Sequence, residues 1–151
     1  MTTVKNFMTS DIACCTADQS LEEAAKLMVK YNCGEIPVVD NHQFKHIQGV
    51  ITDRDICCRS LGVGKNPMTL KVRDCMSSPV VTVSEEATAK ECLKLMEENK
   101  IRRLPVIDKN GACCGMVSQA DIALALGKRE AGELVQEISR EGDSPSSVSI
   151  Q

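Results

Sequence analysis

Twice in this chain a hydroxyl residue stands three positions ahead of an aspartate, immediately after an apolar run. The segments are Gly49-Val50-Ile51-Thr52-Asp53-Arg54-Asp55 and Gly115-Met116-Val117-Ser118-Gln119-Ala120-Asp121. That spacing serves two kinds of chemistry. A Thr or Ser at a helix N-cap accepts from the backbone N–H three residues on, and an acidic residue there returns the bond. The same helix start offers unpaired N–H groups and the positive end of the dipole, which suit a phosphate. The hydroxyl can donate to a phosphate oxygen, and an ionised aspartate, which only accepts, can take both hydroxyls of a ribose. A carboxylate has lone pairs enough for both tasks, so the spacing alone leaves capping and ligand binding open together.

Other reactive residues qualify this picture. Arg54 lies inside the first motif, where the second has Ala120, and Arg102-Arg103 precede Leu104-Pro105, where the first half has Gly34-Glu35 before Ile36-Pro37. Arg54 with Arg102 or Arg103 can converge on one anion, or each can be a solvated surface charge. On this reading the two sites are unequal. Asp55 with Thr52 is favoured for a phosphorylated ligand, and Asp121 with Ser118 for a weaker site or a plain cap. No nucleophile elbow, Walker loop or Cys–His pairing at a recognisable motif occurs, and His42 and His46 share one polar turn. The expectation is that the protein is not an enzyme.

Nine cysteines include the adjacent pairs Cys14-Cys15, Cys57-Cys58 and Cys113-Cys114, with no C-x-x-C spacing. The odd count argues against a disulfide framework, and the spacing against zinc. The thiols are expected mainly to fill core space, and no metal is expected to be required. Cys57 and Cys58 are the candidates for a redox role, although the nearby Asp55 carboxylate works against a thiolate there.

The elements that must position these residues come from an internal repeat. At an offset of 68, Val4 to Asp40 overlies Val72 to Asp108, with Met8/Met76, Leu27/Leu95, Met28/Met96, Pro37/Pro105 and Val38/Val106 identical. At an offset of 66, Gly49 to Ile56 then overlies Gly115 to Ile122. Each copy reads as a short strand (Ile12 to Thr16; Val80 to Val83) and a helix opened by Ser20-x-x-Glu23 or Thr88-x-x-Glu91. A strand (Ile36 to Val39; Leu104 to Ile107), a turn, a further strand (Ile47 to Ile51; Cys114 to Val117) and the helix at Thr52 or Ser118 follow. The helices carry apolar residues on one face, such as Leu21, Ala24 and Met28. The boundaries are repeat 1 over residues 1–60, a linker over 61–71 and repeat 2 over 72–127. A further helix is expected over 128–138 and a disordered tail over 139–151.

The chain has 151 residues, 42% hydrophobic and 26% charged, with three aromatic residues and a formal net charge of -3. Such a balance gives no basic field for nucleic acid or an anionic membrane, and no apolar run approaches a membrane span. The expected compartment is the cytoplasm.

The order helix, (I/L)-P-V-(V/I)-D, turn, G-h-(I/V)-(T/S)-x-x-D, helix, given twice over residues 4 to 127, resembles a tandem pair of cystathionine-β-synthase (CBS) domains, a Bateman module. It is similar to small stand-alone bacterial CBS-pair proteins of the hypoxic-response type. The resemblance implies an α+β fold of two β-α-β-β-α repeats packed about a pseudo-twofold axis. It also implies clefts between the repeats that take an adenosine-containing ligand. AMP, ADP or ATP is favoured, with NAD(H) or S-adenosylmethionine as further family ligands. Carried over, Asp55 and Asp121 would hold ribose, with Thr52 and Ser118 as the hydroxyl partners. The backbone around Cys15-Thr16 and Val83 would face adenine, Ile36-Pro37 and Leu104-Pro105 would give apolar cover, and Arg54, Arg102 and Arg103 would meet phosphate. The expected role is a sensor acting on an effector protein through conformational or assembly change. A homodimer is expected, using Ile56 to Leu61 and Ile122 to Leu126. The competing reading is a ligand-free scaffold or protein-interaction dimer.

Overall fold

The computed structural model describes residues 2–78 and 80–126. The expected helix over 128–138 and tail over 139–151 lie outside the described residues. In order, the elements are α1 (Val4–Phe7), β1 (Cys15–Thr16), α2 (Leu21–Tyr31), β2 (Glu35–Val39), β3 (Ile47–Thr52) and α3 (Asp53–Cys58). After three single 3-10 turns at Leu61–Val63, Pro67–Thr69 and Val72–Asp74 come β4 (Val83–Ser84), α4 (Ala89–Asn99), β5 (Arg103–Ile107), β6 (Cys113–Ser118) and α5 (Gln119–Leu126). The fold is therefore α+β, with two three-stranded sheets ordered β1-β2-β3 and β4-β5-β6.

The long helices form where the sequence repeat places them. Ser20 and Thr88 cap α2 and α4, accepting from the backbone N–H of Glu23 and Glu91. Leu21, Ala24 and Met28 of α2, and Ala89, Cys92 and Met96 of α4, turn inward at helical spacing. Both helices end on a residue in the left-handed region, Asn32 and Lys100, which stops the helix and releases the chain into the next strand. Strands β2 and β5 lie at the centre of their sheets, and Ile36, Val38, Leu104 and Val106 have no solvent exposure. Hence these strands read as unbroken apolar runs rather than alternating ones.

The first strands are shorter than the apolar stretches suggest. Cys15 pairs in parallel with Val38 and Thr16 with Val39, and Val83 pairs with Val106 and Ser84 with Ile107. Pairing stops where the next partner would be Pro37 or Pro105, residues with no N–H to give a ladder.

Two compact units result, and they do not follow the repeat boundaries. Among the described residues, one comprises residues 2–11, 81–110 and 114–126; the other comprises residues 12–78, 80 and 111–113. The lead-in of each repeat belongs to the unit built mainly from the other repeat. In the first unit Val4 donates to Ala87 O (2.8 Å), Lys5 to Glu85 O (3.0 Å), and Thr9 and Met116 exchange backbone bonds of 2.9 Å. In the second unit Val72 donates to Gln19 O (2.8 Å), Arg73 to Ala17 O (3.0 Å), and Ser77 and Val50 exchange bonds of 2.8 and 3.0 Å. The same bonds recur one repeat apart. The cause is burial: Val4 joins the core of Val83, Cys92, Met96, Leu104, Val106, Val117 and Ile122, whereas Val72 and Cys75 join that of Cys15, Leu21, Ile36, Val38 and Ile51. Among the described residues no helix is long and apolar enough to cross a membrane.

Candidate functional site

Both hydroxyl–aspartate motifs fall where a strand passes into a helix, and both close a reciprocal cap. At the start of α3, Asp55 N–H donates to Thr52 Oγ1 (2.9 Å) and Thr52 N–H donates to Asp55 Oδ2 (3.1 Å). At the start of α5, Asp121 N–H donates to Ser118 Oγ (3.2 Å), Ser118 N–H donates to Asp121 Oδ2 (2.8 Å), and Ser118 Oγ donates to the same oxygen (3.0 Å).

The two carboxylates differ in their surroundings. Asp55 is 5% exposed. Its Oδ1 faces Arg59 Nε at 3.7 Å, and the Ser77 side chain bonds the same carboxyl. Burial pushes the Asp55 carboxyl above its ordinary value, against the opposing pull of the Thr52 bonds and the Arg59 charge. Arg59 is tied in turn to the carbonyls of Cys75 (3.3 Å) and Met76 (3.0 Å), so Asp55 sits in a network that pins the lead-in of the second repeat. Asp121 is half-exposed, and its bonds to Ser118 fall on one oxygen, Oδ2. The position matching Arg59 is Ala125. Sequence reading missed both Arg59 and Ser77. An Asp–Arg pair four apart in one copy, against Asp121 and Ala125 in the other, was the available signal.

The basic residues also separate by unit. Arg102 and Arg103 are exposed, and the Arg102 carbonyl accepts from Gln119 N–H (2.8 Å), which places this arginine pair at the Ser118 helix start. The equivalent bond in the other unit runs from Asp53 N–H to Gly34 O (2.9 Å), so an aspartate and Glu35 stand where the first has Gln119 and Arg103. Arg54 is exposed beside Asp53.

The residues expected to face adenine or to give apolar cover lie mostly deep. Cys15, Ile36 and Leu104 are fully buried, Val83 is 4% exposed, Pro37 and Pro105 are buried, and Thr16 is half-buried. Cys15 and Ile36 belong to one core, and Val83 and Leu104 to the other. Ile122, expected on a dimer face, is likewise core, whereas Leu61 and Leu124 of the same expected faces are 66% and 88% exposed.

The thiols divide. Cys15, Cys75, Cys92 and Cys113 are buried, Cys14 and Cys114 half-buried, and Cys33, Cys57 and Cys58 exposed. Burial pushes Cys15 and Cys92 up to about 12 and Cys114 up to about 11, as expected of thiols that serve as packing. Cys14 is the opposite case: a hydrogen bond from Cys113 brings it down to about 7 against the effect of burial, with help from the Lys45 charge.

Comparison with known proteins bears on this geometry. The family described as CBS domain matches residues 4–61 and 72–128. The chain is 39% identical over 145 residues to the uncharacterized protein YlbB of Bacillus subtilis, covering 95% of each chain. It is 31% identical to hypoxic response protein 1 of Mycobacterium tuberculosis, over 91% of this chain and 94% of that one. A crystal structure of Hypoxic Response Protein I with two coordinated zinc ions superposes with a TM-score of 0.73 at 31% identity, covering 83% of this chain and all of that one. The CBS domain pair of protein MJ0100, solved with 5′-methylthioadenosine and S-adenosyl-L-methionine, gives a TM-score of 0.71 at 28% identity, covering 83% of this chain and all of that one. The zinc-bearing structure overturns the expectation that such proteins do without metal. Cysteine spacing was a poor guide, because ligands can be gathered by the fold from distant parts of a sequence. Among the described residues of this chain, no three His, Cys, Asp or Glu side chains gather as a metal centre would need.

Proposed function

Because the chain belongs to the CBS-domain family and carries two such domains in tandem, we propose that it is a regulatory module, not an enzyme, and that it binds an adenosine-containing ligand. The observation that carries this reading is the Ser118–Asp121 helix start with Arg102 and Arg103 beside it. A hydroxyl, backbone N–H groups at the head of α5, a half-exposed carboxylate and two exposed guanidinium groups offer partners for ribose and phosphate together. The adenosine compounds held by the MJ0100 pair support the ligand class.

Sequence reading favoured Asp55 as the ribose partner, and the surroundings shift our preference to Asp121. Asp55 already answers Thr52, Arg59 and Ser77, with Asp53 and Glu35 in the same unit opposing an anion. A phosphorylated ligand, AMP, ADP or ATP, is the better match to the arginine pair; S-adenosylmethionine, which lacks phosphate, would gain less from it. The ligand would act on a conformational or assembly equilibrium, with a homodimer in the cytoplasm as the working form. Exposed Leu61, Val63 and Met68 are apolar residues available to a second copy.

Titration calorimetry with AMP, ATP and S-adenosylmethionine tests the reading. Asp121→Ala and the double variant Arg102→Ala/Arg103→Ala should each weaken AMP or ATP binding by about tenfold or more, since a charged hydrogen bond contributes roughly 1.5–3 kcal/mol. Binding by none of these ligands to the folded wild-type protein would turn the assignment to a scaffold.

A further inference from the structure

We propose that Asn110, at the tip of the β5–β6 hairpin, converts spontaneously through a cyclic imide to aspartate and isoaspartate, and that isoaspartate frees the tip from the loop it is bonded to. The inference does not rest on nucleotide binding. Asparagine is among the thermolabile residues, and the reaction needs the next backbone nitrogen to reach its side-chain amide carbon. Asn110 is exposed, and Gly111 follows it with φ 80°. A Cβ on Gly111 would meet only the His46 ring, at 3.8 Å, so this stretch of backbone is uncrowded. Glycine's conformational freedom lets its nitrogen swing onto the side-chain carbon. Asp108 Oδ1 accepts from the Asn110 backbone N–H (2.8 Å), and among the described residues no hydrogen bond holds the Asn110 side-chain amide.

The chain has six asparagines, and only Asn110 precedes a glycine. Each of the others is restrained at one of the two reacting groups. Asn6 Oδ1 accepts from Thr3 N–H (2.9 Å), and Asn41 Oδ1 accepts from the N–H groups of Gln43 (3.0 Å) and Phe44 (2.7 Å). Asn66 Oδ1 accepts from Met68 N–H (3.0 Å), and Pro67 after it has no N–H to give up. Asn99 Nδ2 donates to Leu95 O (2.8 Å), and the following Lys100 N–H donates to Met96 O. After Asn32, the Cys33 N–H donates to Met28 O (3.0 Å).

The Gly111 nitrogen attacks the Asn110 side-chain carbonyl carbon. The new C–N bond closes a succinimide ring, the bond to the amide nitrogen breaks, and ammonia leaves with the Gly111 proton. Water then opens the ring. Cleavage at the side-chain carbonyl leaves aspartate. Cleavage at the backbone carbonyl leaves isoaspartate, whose main chain is longer by a methylene. The tip has little slack to absorb that methylene. Residues 111–113 share a compact unit with the 40–46 loop, where Ala112 forms a β-bridge with His46 and Cys113 N–H donates to Lys45 O (2.8 Å). That side of the contact is fixed: His46 N–H donates to Asp40 Oδ1 (2.9 Å), His46 Nδ1 lies 3.1 Å from Asp40 Oδ2, and Lys45 holds a left-handed turn (φ 54°). A longer chain before Gly111 shifts Ala112 and Cys113 out of register with these partners.

The test is mass-spectrometric peptide mapping of the whole folded protein after incubation at mildly alkaline pH in oxygen-labelled water. Isoaspartyl methyltransferase marks the isoaspartate. The expected result is loss of the amide and uptake of labelled oxygen at Asn110, with the other asparagines intact. Hydrogen exchange on the aged protein should then show the Cys113 amide exchanging about tenfold faster than in fresh protein. Asn110→Gln, whose longer side chain must close a larger ring, should show neither change. Conversion first at another asparagine would overturn the modification. So would an intact Asn110 under conditions that convert it in a free peptide of residues 104–116. Unchanged protection of Cys113 in the isoaspartate form would overturn the release. The wild-type mapping stands whether or not the variant folds.

Discussion

At the scale of the residue, two aspartates placed alike by sequence sit in different surroundings. Asp55 and Asp121 were equally legible as motif positions, because a hydroxyl three residues ahead of a carboxylate specifies a cap wherever a helix follows. Their difference was not legible from the motif. It arises from Ser77, remote in sequence, and from Arg59, whose significance depends on the helix turning it back over Asp55. A carboxyl raised by burial holds its proton more tightly in the folded protein than in the unfolded chain. The resulting stabilisation is complete below the unfolded value of about 4 and is lost as pH rises through the raised folded value. Asp55→Asn removes that dependence, so urea midpoints should show the wild type losing ground to the variant as pH rises above about 4. A difference that grows the other way would mean the carboxylate is stabilised by its partners more than it is penalised by burial. Asp55→Ala leaves Thr52 without its return bond and should cost roughly 0.5–2 kcal/mol in the same measurement.

At the scale of the element, helices and central strands were readable because their periods are written in single residues. Leu21, Ala24 and Met28 declare a helix face, and the apolar run at Ile36 to Val39 declares a strand buried on both sides. The edges of elements were less so, since β1 and β4 stop at prolines in a neighbouring strand. The glycines that open each motif belong to this scale too. A Cβ on Gly49 would stand 2.6 Å from the Met76 side chain, and one on Gly115 would stand 2.7 Å from Met8 Sδ and from the Thr9 carbonyl. The lead-in passes directly over each, so only a residue without a side chain lets the strands exchange their bonds. Gly49→Ala and Gly115→Ala should each destabilise the protein by about 1–3 kcal/mol in thermal or urea unfolding. An unchanged midpoint would mean that the lead-ins are held elsewhere.

At the scale of the whole molecule, the repeat identified the family, whereas the partition into units had to be seen. Apolar residues at Val4 and Val72 say that both are buried, and nothing in their spacing says in which core. Val4, Lys5 and Thr9 bond with residues of the second repeat, and Val72, Arg73 and Ser77 with residues of the first. A fragment of residues 72–126 alone would therefore lack the segment that completes its sheet and core. Circular dichroism should find it largely unfolded, and adding a peptide of residues 2–11 should restore helical signal. A fragment that folds unaided would show the exchange to be dispensable.

The exchanged lead-ins also set an order of events during synthesis on the ribosome. The unit containing residues 12–80 has nearly all its chain available early. The other must keep Val4, Phe7 and Met8 waiting until Ala87, and finally Met116, have left the exit tunnel. Until then residues 4–8 are an apolar segment whose partners are not yet made, exposed to off-pathway contacts.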